Sequence, residues 1–152
     1  MPASNPLPND IGQIIEESLT LYREARKDVE IIFNAPGDIP VFKVDKQQMK
    51  RVMINLLDNA LDAIEGKGRI VVELSYLKDQ GIVRIEIADN GKGISTDNKM
   101  RLFEPYFSTK KSGTGLGLAI VNSIISDHEG SIRVQDEKPR GTRFVIDLPV
   151  SV

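Results

Sequence analysis

A long run of regularly spaced apolar residues between Val44 and Gly68 limits the possible folds of this chain more than any other feature. The apolar positions recur every three or four residues: Met49, Val52, Met53, Leu56, Leu57, Ala60 and Ile64. This spacing places them on one face of an α-helix. Gly66 and Gly68 are typical of the turn that ends a helix. The segment is therefore predicted to form one long helix that buries a single face.

The segments around this helix predict a mixed fold. Residues 70–77 and 82–88 are strand-like and are joined by a short turn, so they are expected to form an antiparallel hairpin. Further helices are predicted from Asp10 onward and over 116–127, and further strands over 29–33, 131–135 and 142–148. The fold class indicated is α+β, a two-layer sandwich in which a mixed sheet of about five strands has three main helices on one face.

The first nine residues are expected to lie outside this fold. Residues 2–9 contain three prolines and little else that could pack. This composition is typical of an extended arm or the remnant of a linker. The domain is therefore predicted to span residues 10–152.

The composition excludes several classes of function. The 152 residues include no cysteine and one histidine, which excludes disulfide frameworks, thiolate metal sites and multi-histidine metal centres. A net charge of -2 gives no overall attraction to nucleic acid or anionic membranes. No apolar run approaches the roughly 18 residues that span a bilayer, and no secretion signal is present. We therefore expect a soluble, cytoplasmic domain without nucleic-acid or direct membrane contact.

Asn55 and Asn59 lie four residues apart and so share one side of the long helix, beside its apolar face. An isolated pair of this kind serves about as often to hydrogen-bond nearby backbone as to bind a ligand. Magnesium takes few protein oxygens and keeps several waters, so one amide oxygen beside a triphosphate is sufficient. The pair is consistent with either role.

A glycine-rich turn, Asp89-Asn90-Gly91-Lys92-Gly93-Ile94, follows the second strand of the hairpin. Glycine lets the backbone approach a flat ligand closely, and a carboxylate at a strand end can accept a hydrogen bond from an exocyclic amine such as that of adenine. The alternative is that Asp89 only bonds the backbone of its own turn.

A second glycine-rich segment, residues 112–118, places Gly113, Gly115 and Gly117 at the start of a predicted helix. Free backbone amides and the helix dipole favour an anion there, although flexible hinges also use glycine. The segment lacks the lysine of a P-loop and does not closely follow a strand as a dinucleotide fingerprint does. Lys110 and Lys111 precede it within a long irregular segment, residues 90–113, which is predicted to be a functional lid.

Taken in order, these motifs resemble the successive boxes of the catalytic domain of sensor histidine kinases, and look most like those of nitrogen-regulation-type kinases. The matching segments are Asn55–Ala60, Asp89–Ile94, Leu102–Phe107, Gly113–Leu118 and Gly141–Thr142. The resemblance covers residues 44–148. It implies the Bergerat-type ATP-binding fold that gyrase, the Hsp90 chaperones, histidine kinases and MutL share.

The resemblance also implies ATP and Mg²⁺ as ligands and gives each motif a role. Asn59 is expected to be the magnesium ligand, Asn55 to contact the phosphates or support the metal, and Asp89 to bind the adenine amine. Lys110 would meet the far end of the triphosphate and, with Asn55, is a predicted catalytic residue. The other predicted binding residues shape the adenine pocket, line the triphosphate or anchor the lid: Gly91, Gly93, Ile94, Phe103, Gly113, Thr114, Gly115, Leu116, Gly117 and Thr142.

Asn55 stands where the hydrolytic members of this group place a glutamate. An amide cannot act as a general base, so bound ATP is expected to be preserved for transfer. The expected function is transfer of the γ-phosphate to a histidine on a separate dimerisation domain, with a response regulator downstream. The isolated domain is expected to be a monomer, and the intact kinase a homodimer.

Two alternatives remain. A serine-phosphorylating anti-sigma-factor kinase shares the fold, but that class often keeps the glutamate where Asn55 stands, which disfavours it. A degenerate module that binds a partner but no nucleotide would have damaged motifs, and these motifs are intact.

His128 is the only histidine of the chain and lies at the end of the third predicted helix. The resemblance places it near a turn that in this family contains His-Gly-Gly. Nothing around it resembles a dimerisation helix with an acceptor histidine. His128 is therefore expected to be structural.

Overall fold

Two aspartates determine where the first two long helices begin. The computed structural model describes residues 3–105, 107 and 116–150. Asp10 starts α1 (Ile11–Ala25) and Asp45 starts α2 (Lys46–Ala63), each by accepting a hydrogen bond from the backbone N–H three residues later. Such caps satisfy N–H groups that have no partner within the helix. Both helices confirm the predictions made from apolar spacing.

Five strands form the main sheet, and two more form a small separate sheet. The strands of the described residues are β1 (Leu7–Asn9), β2 (Val29–Asn34), β3 (Phe42–Val44), β4 (Gly68–Leu77), β5 (Ile82–Asp89), β6 (Ser131–Asp136) and β7 (Thr142–Pro149). The main sheet has the order β2-β4-β5-β7-β6. β2 is parallel to β4, and all other neighbours are antiparallel. The predicted mixed sheet and the β4–β5 hairpin are confirmed.

A short helix, α3 (Thr96–Lys99), lies where the sequence predicted only a loop. Ser95 starts it, because its hydroxyl accepts a hydrogen bond from a backbone N–H at 3.2 Å. Lys99 Nζ lies 2.8 Å from Asp136 Oδ1, and Leu102 is buried. The first part of the predicted lid is therefore folded and attached to the sheet. Periodicity did not reveal this helix, since a single turn contains too few apolar positions.

One face of the main sheet packs against the helices. Along β4, Ile70, Val72 and Leu74 are buried, whereas the residues between them are half-buried. The buried side chains join those of α1, α2 and α4 (Gly117–Asp127) in one hydrophobic core. This arrangement confirms the predicted two-layer sandwich with three main helices on one face. No helix in the described ranges combines the length and apolar character needed to span a bilayer.

The N-terminal arm is extended as predicted, and part of it pairs with a strand of the domain. β1 pairs with β3 in antiparallel fashion, with Leu7 opposite Val44. The backbone N–H of Asn5 donates to Asp45 Oδ2 at 2.8 Å, and Asn9 Nδ2 donates to the Val44 carbonyl at 3.0 Å. The partner strand is distant in the sequence, so local patterns did not reveal the pairing. That residues 1–9 are the remnant of a linker stays a prediction.

His128 connects the end of α4 to the start of α2. Its Nε2 accepts a hydrogen bond from the backbone N–H of Asp45 at 3.0 Å, and its Nδ1 lies 2.8 Å from the carbonyl oxygen of Ile124. A carbonyl only accepts, so these partners assign the proton to Nδ1 and the lone pair to Nε2. Both ring nitrogens are thus used within the scaffold, which confirms the structural role predicted for His128.

We expect His128→Ala to lower the free energy of unfolding by about 1–2 kcal/mol, because it leaves the half-buried N–H of Asp45 without the imidazole acceptor and removes the side-chain hydrogen bond to the carbonyl of Ile124. Urea denaturation monitored by circular dichroism measures this change. Asp127→Ala, on the exposed neighbouring residue, is the control and is expected to stay within about 0.5 kcal/mol of the parent chain. Equal effects of the two substitutions would contradict the assigned role.

Candidate functional site

A cavity of about 190 Å³ opens between the C-terminal half of α2 and the adjoining ends of β5 and β7. Its lining surface is mainly apolar, although seven of the thirteen lining residues are polar or charged. The lining residues are Asn59, Asp62, Ala63, Asp89, Lys92, Gly93, Ile94, Ser95, Asn98, Leu102, Leu118, Thr142 and Phe144. A mainly apolar surface with specific polar groups is typical of a site for a flat organic ligand that needs hydrogen bonds at one edge.

Asp89 is the buried carboxylate of this cavity and is only 5% exposed. Its Oδ1 accepts a hydrogen bond from the backbone N–H of Gly91 at 2.8 Å, and the backbone N–H of Thr142 also bonds its carboxylate. Burial raises the pKa of Asp89, and the charge of Glu137 raises it further, while the two backbone hydrogen bonds oppose the shift. An ionised carboxylate has about four acceptor positions, so Asp89 can bond its own turn and still accept from a ligand.

Two glycines let the backbone close around Asp89. A Cβ on Gly91 would overlap the carbonyl oxygen of Ala63, which also accepts a hydrogen bond from the N–H of Lys92 at 2.9 Å. Gly141 has a φ of 120°, and a Cβ there would overlap the carbonyl oxygen of Asp89. A side chain is therefore excluded at both positions, and the turn after β5 is held against α2 on one side and against the start of β7 on the other.

The two predicted asparagines of α2 have different surroundings. Asn59 lines the cavity, whereas Asn55 does not. Asn55 Nδ2 instead donates to the carbonyl oxygen of Gly117 at 3.2 Å and so links α2 to the first residue of α4. The structure thus shows the backbone contact that the sequence offered as the alternative role for Asn55. The predicted contact of Asn55 with phosphates stays a prediction.

The other predicted site residues fall into three groups. Gly93, Ile94 and Thr142 line the cavity, together with Asn59 and Asp89. Four described residues do not line it: Gly91, Phe103, Leu116 and Gly117. The predicted phosphate residues Lys110, Gly113, Thr114 and Gly115 lie outside the described residues.

Two aromatic residues of the predicted lid pack at its base. The ring of Phe103 meets Phe144 edge-on, with 6.5 Å between the ring centroids and 78° between the planes. Phe144 lines the cavity, so Phe103 supports the pocket from behind. The guanidinium of Arg101 lies 4.6 Å from the ring centroid of Phe107. Both rings also pack against the hydrophobic core. That Phe103 anchors the lid stays a prediction.

Eight lining residues were missed by the sequence analysis: Asp62, Ala63, Lys92, Ser95, Asn98, Leu102, Leu118 and Phe144. A signal existed for some of them. Asp62 and Ala63 lie three and four residues after Asn59 and therefore on the same side of α2. Phe144 lies two residues after Thr142 in β7 and so points to the same face of the sheet. Ser95 caps α3 and Asn98 lies within it, and this helix was not predicted.

The described residues contain no group of three or more His, Cys, Asp or Glu side chains that could hold a metal ion. A magnesium ion does not require such a group when a ligand supplies phosphate oxygens, since it keeps several waters and takes one or two protein oxygens. The amide of Asn59, at the wall of the cavity, fits that limited demand. The donor set suits a metal that arrives with a phosphorylated ligand.

Comparison with known proteins agrees with this chemistry. The family of histidine kinase-, DNA gyrase B- and HSP90-like ATPases matches residues 44–152. The sensor histidine kinase ZraS of Escherichia coli O157:H7 is 37% identical over 145 residues, which are 94% of this chain and 31% of that kinase. Sporulation kinase E of Bacillus subtilis (strain 168) is 37% identical over 142 residues, 92% of this chain and 19% of that protein. The chain spans less than a third of the length of either relative.

Two solved structures are similar to this chain over almost the whole length of both chains. The mycobacterial sensor histidine kinase MprB has a TM-score of 0.84 and 34% identity, covering 96% of this chain and 98% of that one. The nucleotide-free catalytic domain of the histidine kinase ThkA has a TM-score of 0.88 and 28% identity, covering 96% of both chains.

We expect Gly141→Ala to lower the free energy of unfolding by about 3 kcal/mol or more, because the new Cβ would overlap backbone atoms of Asp89. Gly81→Ala is the matched control: Gly81 also has a positive φ, of 65°, but no neighbouring atom lies within 4 Å. It is expected to cost only about 1 kcal/mol. Chemical denaturation of both variants provides the comparison, and similar costs would show that the contact between Gly141 and Asp89 is not close.

Proposed function

This chain belongs to the family of histidine kinase-, DNA gyrase B- and HSP90-like ATPases and is the ATPase catalytic domain of a sensor histidine kinase. We propose that its cavity binds ATP with the adenine against Asp89. The observation that supports this proposal is the buried carboxylate itself. Asp89 is buried in the wall of the cavity and is held there by two backbone N–H groups. Its remaining acceptor positions suit an exocyclic amine, and the apolar walls suit a planar base.

The proposed position of the phosphates follows from the adenine. Asn59 lines the cavity at α2, and its amide oxygen can take one place in a magnesium shell whose other ligands are phosphate oxygens and water. Bound Mg²⁺ would neutralise part of the negative charge of the triphosphate. Lys110 and the glycines of residues 113–117 are the proposed phosphate contacts, on the grounds of the sequence.

The proposed reaction is phosphoryl transfer and not hydrolysis. Asn55 cannot act as a general base, because an amide does not take up a proton at neutral pH. Its Nδ2 is also already hydrogen-bonded to the carbonyl of Gly117. Water would therefore not be activated from this position. The domain would instead preserve ATP until the imidazole of another domain reaches the γ-phosphorus, forms the nitrogen–phosphorus bond and displaces ADP.

The proposed acceptor is a histidine on a separate dimerisation domain of the same kinase, with a response regulator downstream. His128 does not fit the role of acceptor, because both its ring nitrogens are hydrogen-bonded within the fold. Since such a domain draws on cytoplasmic ATP, we place it in the cytoplasm.

We expect Asn59→Ala to abolish the magnesium-dependent part of ATP binding while leaving the fold intact, since the amide faces the cavity. Fluorescence of an ATP analogue, titrated with Mg²⁺ or with a chelator, measures the effect. Asn122→Ala removes an exposed asparagine from α4 and is the control. Full magnesium-dependent binding by Asn59→Ala would contradict the assignment, and no binding by the parent chain would favour a degenerate module.

We also expect the isolated chain to bind ATP without becoming labelled by γ-labelled ATP. Addition of the helical acceptor domain should restore transfer to that domain. A phosphohistidine is acid-labile and base-stable, so treatment with acid and base identifies the product. Acid-labile label on this chain alone, lost in His128→Gln, would overturn both the proposed acceptor and the role given to His128.

A further inference from the structure

A cluster of ion pairs lies on the sheet face opposite to the cavity. Arg143 of β7 contacts three carboxylates there. Its Nη2 lies 2.8 Å from Glu137 Oε2 and its Nε lies 3.3 Å from Glu137 Oε1, while its Nη1 lies 3.2 Å from both Glu73 and Glu86. The side chain of Arg143 is only 20% exposed. Since Glu73 and Glu86 are directly opposite each other on β4 and β5, the guanidinium also offsets their repulsion.

Glu137 connects this cluster to the wall of the cavity. It begins the connection between β6 and β7, residues 137–141, and its backbone N–H donates to the carbonyl of Gly141 at 3.0 Å. Gly141 in turn packs on the backbone of Asp89. The paired carboxylate of Glu137 therefore holds one end of a loop whose other end is in contact with Asp89.

The charge of Glu137 also acts on Asp89. A nearby negative charge disfavours the ionised carboxylate, so Glu137 raises the pKa of Asp89 in addition to the effect of burial. The other charged side chains of the described residues at the cavity are Asp62 from α2 and Lys92 from the turn after β5, and both are exposed to solvent. Arg143 therefore has two connections to Asp89, one through the position of the 137–141 loop and one through the charge of Glu137.

We propose that Arg143 is a positioning residue of the nucleotide site, which holds the 137–141 loop against Asp89 through its ion pair with Glu137 and balances the charge of that glutamate. Arg143 acts from the far side of the sheet, without touching the nucleotide. The inference rests on the proposed function, because it takes Asp89 to be the group that receives adenine.

The two connections make separable predictions. Removing the guanidinium leaves the carboxylate of Glu137 unbalanced, so the pKa of Asp89 rises further. As the pH falls, Asp89 is then protonated at a higher pH than in the parent chain, and the ionised form that accepts the adenine amine is lost earlier. Removing the charge of Glu137 has the opposite sign, because it takes away a cause of the raised pKa. A residue with a merely structural role would weaken binding equally at every pH and leave the pKa of Asp89 unchanged.

The experiment combines two readouts on Arg143→Met, Glu137→Gln and the double variant. Titration of the Asp89 carboxyl carbon by NMR follows its pKa without nucleotide, and a fluorescent ATP analogue with Mg²⁺ gives the affinity. For Arg143→Met we expect the pKa of Asp89 to rise by about half a unit and the affinity at neutral pH to fall about fivefold. For Glu137→Gln and for the double variant, we expect the pKa to fall below that of the parent chain.

Arg84→Met is the matched control. Arg84 lies on the same face of the sheet and has a two-point ion pair with Asp147, at 2.7 and 3.1 Å, toward the other end of β5. Its loss should reduce stability and leave both readouts unchanged. The inference is overturned if Arg143→Met leaves the pKa of Asp89 unchanged, or if Arg84→Met shifts it equally. If Arg143→Met does not fold, Glu137→Gln decides the question, since an unchanged pKa there removes the proposed connection.

The proposed function fails in a different way. If Asp89→Asn binds the analogue as tightly as the parent chain, Asp89 is not the adenine receptor, whatever the NMR titrations show. If Asp89→Asn loses binding while Arg143→Met changes neither readout, the proposed function stands and the role of Arg143 does not.

Discussion

The site depends on close contact between three backbone segments: the end of α2, the turn after β5 and the residue that precedes β7. No side chain lies between them. Gly91 packs on the carbonyl of Ala63 at the end of α2, and Gly141 packs on the carbonyl of Asp89. Because these contacts join backbone to backbone, they do not depend on side-chain rotamers. They place the carboxylate of Asp89 in an apolar cavity, where its burial is costly and is offset by the N–H groups of Gly91 and Thr142. The raised pKa of Asp89 is the consequence of that position.

The second requirement is that α2 and α4 are held together. Asn55 bonds the first residue of α4, and His128, just after its last residue, bonds the backbone of Asp45 at the start of α2. The two helices are thereby linked at both ends of α4. Since Asn59 lies on α2 and the glycine-rich segment 112–118 overlaps the start of α4, a rigid connection between these helices would keep the proposed magnesium ligand in register with the proposed phosphate loop.

The sequence predicted most of the fold, and it predicted the site in part. The apolar spacing of α2 and the hairpin of β4 and β5 are local patterns, and they were found. The pairing of β1 with β3 depends on distant segments, and the turn of α3 is too short to show a period, so both were missed. Within the site, Asn59 and Asp89 both line the cavity. The ion pairs of Arg143, in contrast, bring together residues from four parts of the chain that no spacing connects.

The central claim is that Asp89 receives adenine while Asn59 takes part in holding Mg²⁺ on the phosphates. A crystal structure of this chain with a non-hydrolysable ATP analogue and Mg²⁺ tests it most directly. The predicted result is an adenine amine within hydrogen-bond distance, about 3 Å, of the Asp89 carboxylate, with the Asn59 amide oxygen in the magnesium shell. A base bound elsewhere, or a metal ion without a ligand from α2, would contradict the claim.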